Sequence, residues 1–165
     1  MKKNKLVYIA LSADILHEGH LNIINKASKL GKVIVGLLTD EAIASFKKIP
    51  FLNYQQRLML VQNIKKISKV IPQSTLDYTS NLRKIKPNYV VHGDDWKEGV
   101  LKSTRQKVIK ELKKWSGKLI EYPYYRDISS TLIKKKISRL NMYGENRVTN
   151  LKRLIKIKKI VRLIE

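Results

Sequence analysis

The sequence predicts an α/β domain built on a five-stranded parallel sheet, and three observations predict it. Short β-branched, apolar runs alternate with amphipathic stretches along most of the 165 residues. The alternation recurs five times, which calls for helices covering both faces of a parallel sheet. The three histidines, His17, His20 and His92, all sit where such a run gives out.

The elements follow in order. "KLVYIALS" (5–12) reads as the first strand. "HLNIINKASKLG" (20–31) places Leu21, Ile23, Ile24, Ala27 and Leu30 on one helical face and ends on Gly31. "KVIVGLLT" (32–39) is a second buried strand. "NYQQRLMLVQNIKKI" (53–67) is a helix with Asn53 as its cap. "KVIPQ" (69–73) is a short third strand, and "TSNLRKIK" (79–86) a helix stopped by Pro87. "NYVVHGDDW" (88–96) is a fourth strand running into a turn. "STRQKVIKELKKWSG" (103–117) is a helix closed by Gly117. "KLIEYPY" (118–124) is the fifth strand, and "SSTLIKKKISRL" (129–140) the last helix. Right-handed crossovers make this a doubly wound, Rossmann-like sheet with a C-terminal helical extension. Ligands of such sheets bind beyond the carboxyl ends of the strands. The segments Ser12–His20, Thr39–Lys48, His92–Trp96 and Tyr124–Thr131 are therefore the ones to watch.

Composition narrows the function classes. There is no cysteine, which excludes disulfides, thiolate metal sites and cysteine nucleophiles, and fits a cytoplasmic protein. No apolar run is long enough to span a membrane. The basic, apolar N-terminus mimics a signal peptide, but Ser12 and Asp14 interrupt it, so it reads as a strand. Net charge is +22, from 35 Lys and Arg against 13 Asp and Glu. Nucleic acid is one partner for such a charge and a small anionic substrate another. The lysines are spread along the chain and rarely interleave with aromatics, which favours the small anion.

"SADILHEGH" (12–20) carries the chemistry. HEGH is not the HExxH zinc pattern, because its second histidine arrives one residue early. A phosphate fits better. A strand ends, a short loop turns, and a helix starts near His17 or Glu18, aiming backbone N–H groups at an anion. Gly19 lets an anion approach closely, and the two imidazoles add donors.

This stretch resembles the HxGH-type nucleotidyltransferases, and among them the cytidylyltransferases. Ser12, Asp14, His17 and His20 match the family's GTFDLLHxGH pattern, while Leu11 and Ala13 depart from it. "GLLTDE" (36–41) resembles the family's second strand exit. "FKKIPFLNYQQR" (46–57) resembles the loop that brings a lysine, here Lys47 or Lys48, to the phosphates, followed by Arg57. "VVHGDDW" (90–96) resembles the GDD segment, and "ISSTLIKKKI" (128–137) the ISTTxI signature. Tyr124 and Asp127 depart from the RTEGIS of the glycerol-phosphate and choline-phosphate branch, with Arg126 two positions from the missing arginine. "HGDDWKEGV" and "PYxxxISST" are similar instead to cytidylyltransferase domains of phosphonate biosynthesis. The tail "VTNLKRLIKIKKIVRLIE" (148–165) is similar to the start of phosphoenolpyruvate mutase; a basic amphipathic helix is the alternative.

The resemblance implies a nucleotidyltransferase fold over residues 1–140, and over 141–165 a linker and helix that begin a second, fused mutase domain. It implies transfer of CMP from CTP to a small phosphonate such as 2-hydroxyethylphosphonate, with release of pyrophosphate; glycerol 3-phosphate or another phospho-alcohol is the alternative acceptor. His17, His20 and Lys47 or Lys48 would be catalytic. Ser12, Asp14, Gly19, His92, Gly93, Asp94, Asp95, Ile128, Ser129, Ser130 and Thr131 would bind nucleotide. Thr39, Arg57, Trp96 and Arg126 would face substrate, Trp96 either stacking on a base or plugging the end of the sheet. Mg²⁺ would bridge the phosphates, with few protein ligands; Asp14 would orient the loop, touch the metal, or do both, and a homodimer would be the assembly. A nucleic-acid-binding module and an inactive scaffold are the readings of another class.

Overall fold

A computed structural model describes residues 5–123 and 128–141. The chain divides into two compact units, Met1–Ser129 and Ser130–Glu165. The first holds five parallel strands in the order β3-β2-β1-β4-β5. They are β1 (Leu6–Leu11), β2 (Lys32–Leu38), β3 (Ile67–Gln73), β4 (Tyr89–Gly93) and β5 (Lys118–Tyr122). Its helices are α1 (Glu18–Ser28), α2 (Asp40–Ala44), α3 (Tyr54–Gln62), α4 (Thr79–Ile85) and α5 (Lys102–Leu112). The second unit contributes α6 (Ser130–Asn141). Residues 124–127 and 142–165 lie outside the described residues, and with them the expectations for Arg126 and the tail helix.

The central strands are buried on both faces. Val7, Ile9 and Leu11 of β1 pack with Val33, Val35 and Leu37 of β2 and Ile24 of α1. On the other face Tyr8, Ile34 and Val90 pack with Leu82, Trp96, Val108 and Leu112. Burial on both sides explains why these strands read as unbroken apolar runs. The order reverses between β1 and β4, so the crevice at the carboxyl ends of these two strands is the place for a ligand.

Several element ends differ from expectation, each for a local reason. The 53–67 helix stops at Gln62, and Ile67 opens β3 by pairing with Val33. Pro72 lies inside β3 and is tolerated because β3 is an edge strand. Lys86 takes a left-handed conformation (φ 47°) ahead of Pro87, which disfavours a helical residue before it. After α5 the left-handed residue is Ser116 (φ 60°) rather than Gly117, and Gly117 N–H donates to Leu112 O at 3.0 Å. The five-residue helix α2 was not expected at all; Thr39 Oγ1 caps it by accepting from Ala42 N–H at 3.2 Å.

Gly36 leaves space that a neighbouring side chain fills. A Cβ at Gly36 would stand 1.8 Å from the Tyr8 hydroxyl oxygen. That hydroxyl is buried and donates to Gln73 Oε1, while Asn81 Nδ2 donates to the same Gln73 oxygen at 2.9 Å. The network ties β1, β3 and α4 together through the space Gly36 leaves. Gly36→Ala should therefore lower unfolding free energy by about 1–3 kcal/mol in a denaturant titration, as overpacking does. An unchanged midpoint would mean that the Tyr8 network shifts freely.

Candidate functional site

The site begins where β1 ends. Ala13 is buried with φ 51°, a left-handed conformation that costs a non-glycine residue about 1–2 kcal/mol. The turn throws the chain out of the sheet and into α1. His17 is the N-cap of α1, in extended conformation, and its Nδ1 accepts from Gly19 N–H at 3.2 Å. An accepting Nδ1 places the proton of the neutral ring on Nε2, which is left as a donor. The Gly19 N–H is thus used by the His17 cap.

His20 lies one turn along, its ring centroid 4.0 Å from that of His17. Its Nδ1 is fully buried, and neither ring nitrogen has a hydrogen-bond partner among the described residues. Burial pushes the His20 pKa down to about 4, helped by the nearby His17 and the Lys47 ammonium. Burial also lowers that of His17, against the opposing pull of Glu18. At neutral pH the pair is uncharged, and His20 has unmet hydrogen-bonding capacity that a ligand would satisfy.

Lys47 is exposed on the loop after α2, 5.0 Å from the Phe46 ring centroid, and close enough for its charge to act on His20. Lys48 is also exposed. Of the two lysines the sequence left open, Lys47 is the one the fold brings to the histidines.

Asp14 and Arg57 hold this loop in place. Phe51 N–H and Leu52 N–H both donate to Asp14 Oδ1, at 2.7 and 3.4 Å. Arg57, fully buried on α3, donates from Nε to Leu52 O at 3.0 Å, and from Nη1 to Ser12 O at 2.6 Å and Leu38 O at 2.7 Å. Its Nη2 donates to Asp40 Oδ1 at 2.7 Å, and Asp40 Oδ2 accepts from Tyr54 N–H at 3.0 Å. Arg57 is therefore not a substrate contact as expected. It joins the exits of β1 and β2 to the lysine loop. Of the roles expected for Asp14, orienting the loop is the one these contacts serve; the residue is 4% exposed and its carboxylate is engaged by the loop. No group of three His, Asp or Glu converges among the described residues.

The β4 exit lies across the switch point between β1 and β4. His92 lies flat on Trp96, ring centroids 3.8 Å apart and planes 5° apart. His92 Nδ1 is 2.8 Å from Gly93 O, and Asp95 Oδ1 lies 3.7 Å from the same nitrogen. Trp96 is fully buried and donates from Nε1 to Glu121 Oε1 at 2.7 Å. Of its two expected roles this is the plug at the sheet end, since the ring is closed inside the fold. Arg105 binds both Glu121 oxygens at 2.9 Å, and this hydrogen-bonded ion pair holds the Glu121 pKa down to about 2. Thr39 caps α2 and donates its N–H to Gln73 O at 3.1 Å, a structural use of a residue expected to face substrate. Asp94 opens the 3-10 turn Asp94–Lys97. Ile128 and Ser129 close the first unit, and Ser130 and Thr131 begin α6 in the second.

A family model described as cytidylyltransferase-like matches residues 12–136. The chain belongs to the cytidylyltransferase-like family. It is 34% identical over 86 residues to the glycerol-3-phosphate cytidylyltransferase of Bacillus spizizenii, covering 51% of this chain and 67% of that one. It is 31% identical over 86 residues to an FAD synthase of Methanopyrus kandleri, covering 50% and 57%. With the ethanolamine-phosphate cytidylyltransferase of Arabidopsis thaliana it shares 30% over 100 residues, 57% of this chain but 24% of that protein. The chain thus spans well under two thirds of the last two relatives. Among solved structures, a lipopolysaccharide core biosynthesis protein of Thermoplasma volcanium shares the fold, with TM-score 0.64 at 23% identity over 73% of this chain and 98% of that one. No helix among the described residues is long and apolar enough to cross a membrane.

Two outcomes follow from this geometry. Arg57→Ala should cost about 3–5 kcal/mol of stability, because it strands Asp40 and three carbonyls. Arg57→Lys should recover little, since one ammonium cannot reach four acceptors at this spread; unfolding curves of the two variants check this. Burial lowers all three histidine pKa values from the ordinary 6.5. Below pH 6.5 the unfolded chain takes up protons that the native state refuses. Stability should therefore fall as pH drops from 6.5 towards about 4 and be fully present above 6.5. Thermal melts across that range should show the slope, and His20→Gln should flatten it.

Proposed function

We propose that the protein transfers CMP from CTP to a phosphate oxygen of a small phospho-alcohol, releasing pyrophosphate. The observation that carries the proposal is the neutral His17–His20 pair at the head of α1, with the Lys47 charge beside it. The named relatives acting on glycerol 3-phosphate and ethanolamine phosphate support this acceptor class. A phosphonate has the same charged oxygen head. It is the second reading, favoured by the resemblance of "HGDDWKEGV" and "PYxxxISST". The same resemblance underlies a homodimer and a fused mutase domain as proposals for the whole protein.

The chemistry asks little covalent help of the protein. The acceptor oxygen is already ionised near neutral pH. It forms a bond to the α-phosphorus as the bond from that phosphorus to the pyrophosphate oxygen breaks, so no general base is required. Positioning and charge stabilisation then supply the rate. His17 donates from Nε2 to a non-bridging α-phosphate oxygen, and its cap on α1 fixes the direction of that bond. His20 meets its unmatched hydrogen-bonding capacity on the same group. Lys47 balances the charge that builds on the departing pyrophosphate. The nucleotide is expected as its magnesium complex, the ion held by the phosphates and water.

Pyrophosphate release should be measured with CTP and with ATP against glycerol 3-phosphate, phosphoethanolamine, phosphocholine, 2-hydroxyethylphosphonate and 2-aminoethylphosphonate. Release with CTP and a phospho-alcohol supports the proposal. Release with a phosphonate alone selects the second reading, and release with ATP alone overturns the cytidylyl assignment. In the active pairing His17→Ala and His20→Ala should each lower kcat by about 10²–10³-fold, the usual loss for one oxyanion donor. Near-wild-type turnover in both would contradict the mechanism.

A further inference from the structure

His92 is not explained by phosphate chemistry. It is the penultimate residue of β4, at the carboxyl end of the strand that flanks the β1–β4 crevice. Its ring is locked three ways. Trp96 covers one face at 3.8 Å, Nδ1 contacts Gly93 O at 2.8 Å, and Asp95 adds a charge at 3.7 Å from Nδ1. Behind Trp96, Glu121 and Arg105 brace the stack against β5 and α5. Such support is more than a spacer at a strand end requires.

The two ring nitrogens are then chemically distinct. A carbonyl oxygen only accepts, so Nδ1 carries the proton and Nε2 of the neutral ring carries a lone pair. Nε2 has no hydrogen-bond partner among the described residues. The single buried, unpartnered side-chain nitrogen or oxygen among them is Nδ1 of His20, so Nε2 of His92 reaches the surface. The His92 side chain is 14% exposed, and that exposure belongs to the part of the ring that Trp96 and Gly93 leave open.

We infer that His92 is a specificity-determining residue that selects an amino-bearing nucleobase, accepting at Nε2 from the exocyclic amine of cytosine. The inference rests on the proposed nucleotidyl transfer and adds a base-reading role to it. Cytosine offers a donor where uracil offers an acceptor. Against uracil the Nε2 lone pair would face the O4 lone pairs, which leaves both groups desolvated and unmatched. Adenine also carries an exocyclic amine, so His92 separates amino from keto bases and does not by itself exclude ATP. Burial holds His92 below the ordinary histidine pKa, against the opposing influence of Gly93 O, Asp95 and Glu121, which keeps the acceptor form at neutral pH.

The test is calorimetric titration of CTP and UTP, each with Mg²⁺, into the wild-type chain, His92→Leu and His92→Gln, with thermal melts to confirm that each variant folds. The wild type should bind CTP about tenfold or more tightly than UTP, within the usual discrimination of one well-placed base contact. His92→Leu should weaken CTP by a similar factor and leave UTP nearly unchanged, so the ratio collapses. His92→Gln, whose amide oxygen also accepts, should restore part of it. As a second readout, ¹⁵N resonances of the wild-type His92 ring should show Nδ1 protonated and Nε2 bare, with Nε2 moving on CTP addition. Equal wild-type affinity for CTP and UTP overturns the inference. So does a folded His92→Leu that keeps the wild-type ratio, and either result leaves nucleotide binding standing. Failure of the wild type to bind CTP overturns the functional reading and the inference together.

Discussion

The exits of β1 and β2 and the lysine loop depend on one buried guanidinium. Arg57 donates to Ser12 O at the end of β1, Leu38 O at the end of β2, Leu52 O in the lysine loop and Asp40 at the start of α2. A planar fork with five donors suits this task, since several segments must be fixed from one point. The cost of burying the charge is offset by its four acceptors, one of them a carboxylate. With Ser12 held, the left-handed turn at Ala13 is sustained, and the chain enters α1 where His17 caps it. With Leu52 held, and Asp14 accepting from Phe51 and Leu52, the loop that carries Lys47 is anchored to the loop that carries the histidines. Residues expected to touch ligand therefore act one step behind it.

The electrostatics of the site run against the rest of the molecule. The chain carries a net charge of +22, yet the two imidazoles at its candidate anion site are held neutral by burial, and His20 also by His17 and Lys47. A neutral donor in a positive field loses little on exposure to solvent and gains when a polyanion arrives. Phosphate charge acts on both rings in the opposite sense to Lys47 and raises their pKa values. The site is thus poised to respond to the charge of an incoming anion.

Much of this was legible in the sequence. The parallel sheet could be read because buried strands leave unbroken β-branched runs. The crevice could be located because all three histidines sit at strand ends. The role of Arg57 could not, and for Trp96 and Asp14 the sequence left two roles each. An arginine or an aspartate inside motif text looks like a ligand contact, and burial, which decides between a contact and a brace, has no local signature in one sequence. Trp96 reads equally as a base-stacking ring or a plug until Glu121 and Arg105, from β5 and α5, are seen to bind and brace it inside the fold. Helix ends shifted where tertiary demands overrode local pattern, as at Ile67, which β3 takes for its pairing with Val33. The helix α2 escaped notice because five residues carry too little periodicity to detect.

The central claim is that the His17–His20 pair is uncharged in the free protein and acts on nucleotide phosphate. The most direct measurement is an NMR pH titration of the two rings, without and with CTP. The account predicts that His20 in the free chain titrates near pH 4, and that CTP moves its midpoint upward and shifts the His17 Nε2 resonance. A free His20 that titrates at the ordinary 6.5, or rings that do not respond to CTP, would contradict it.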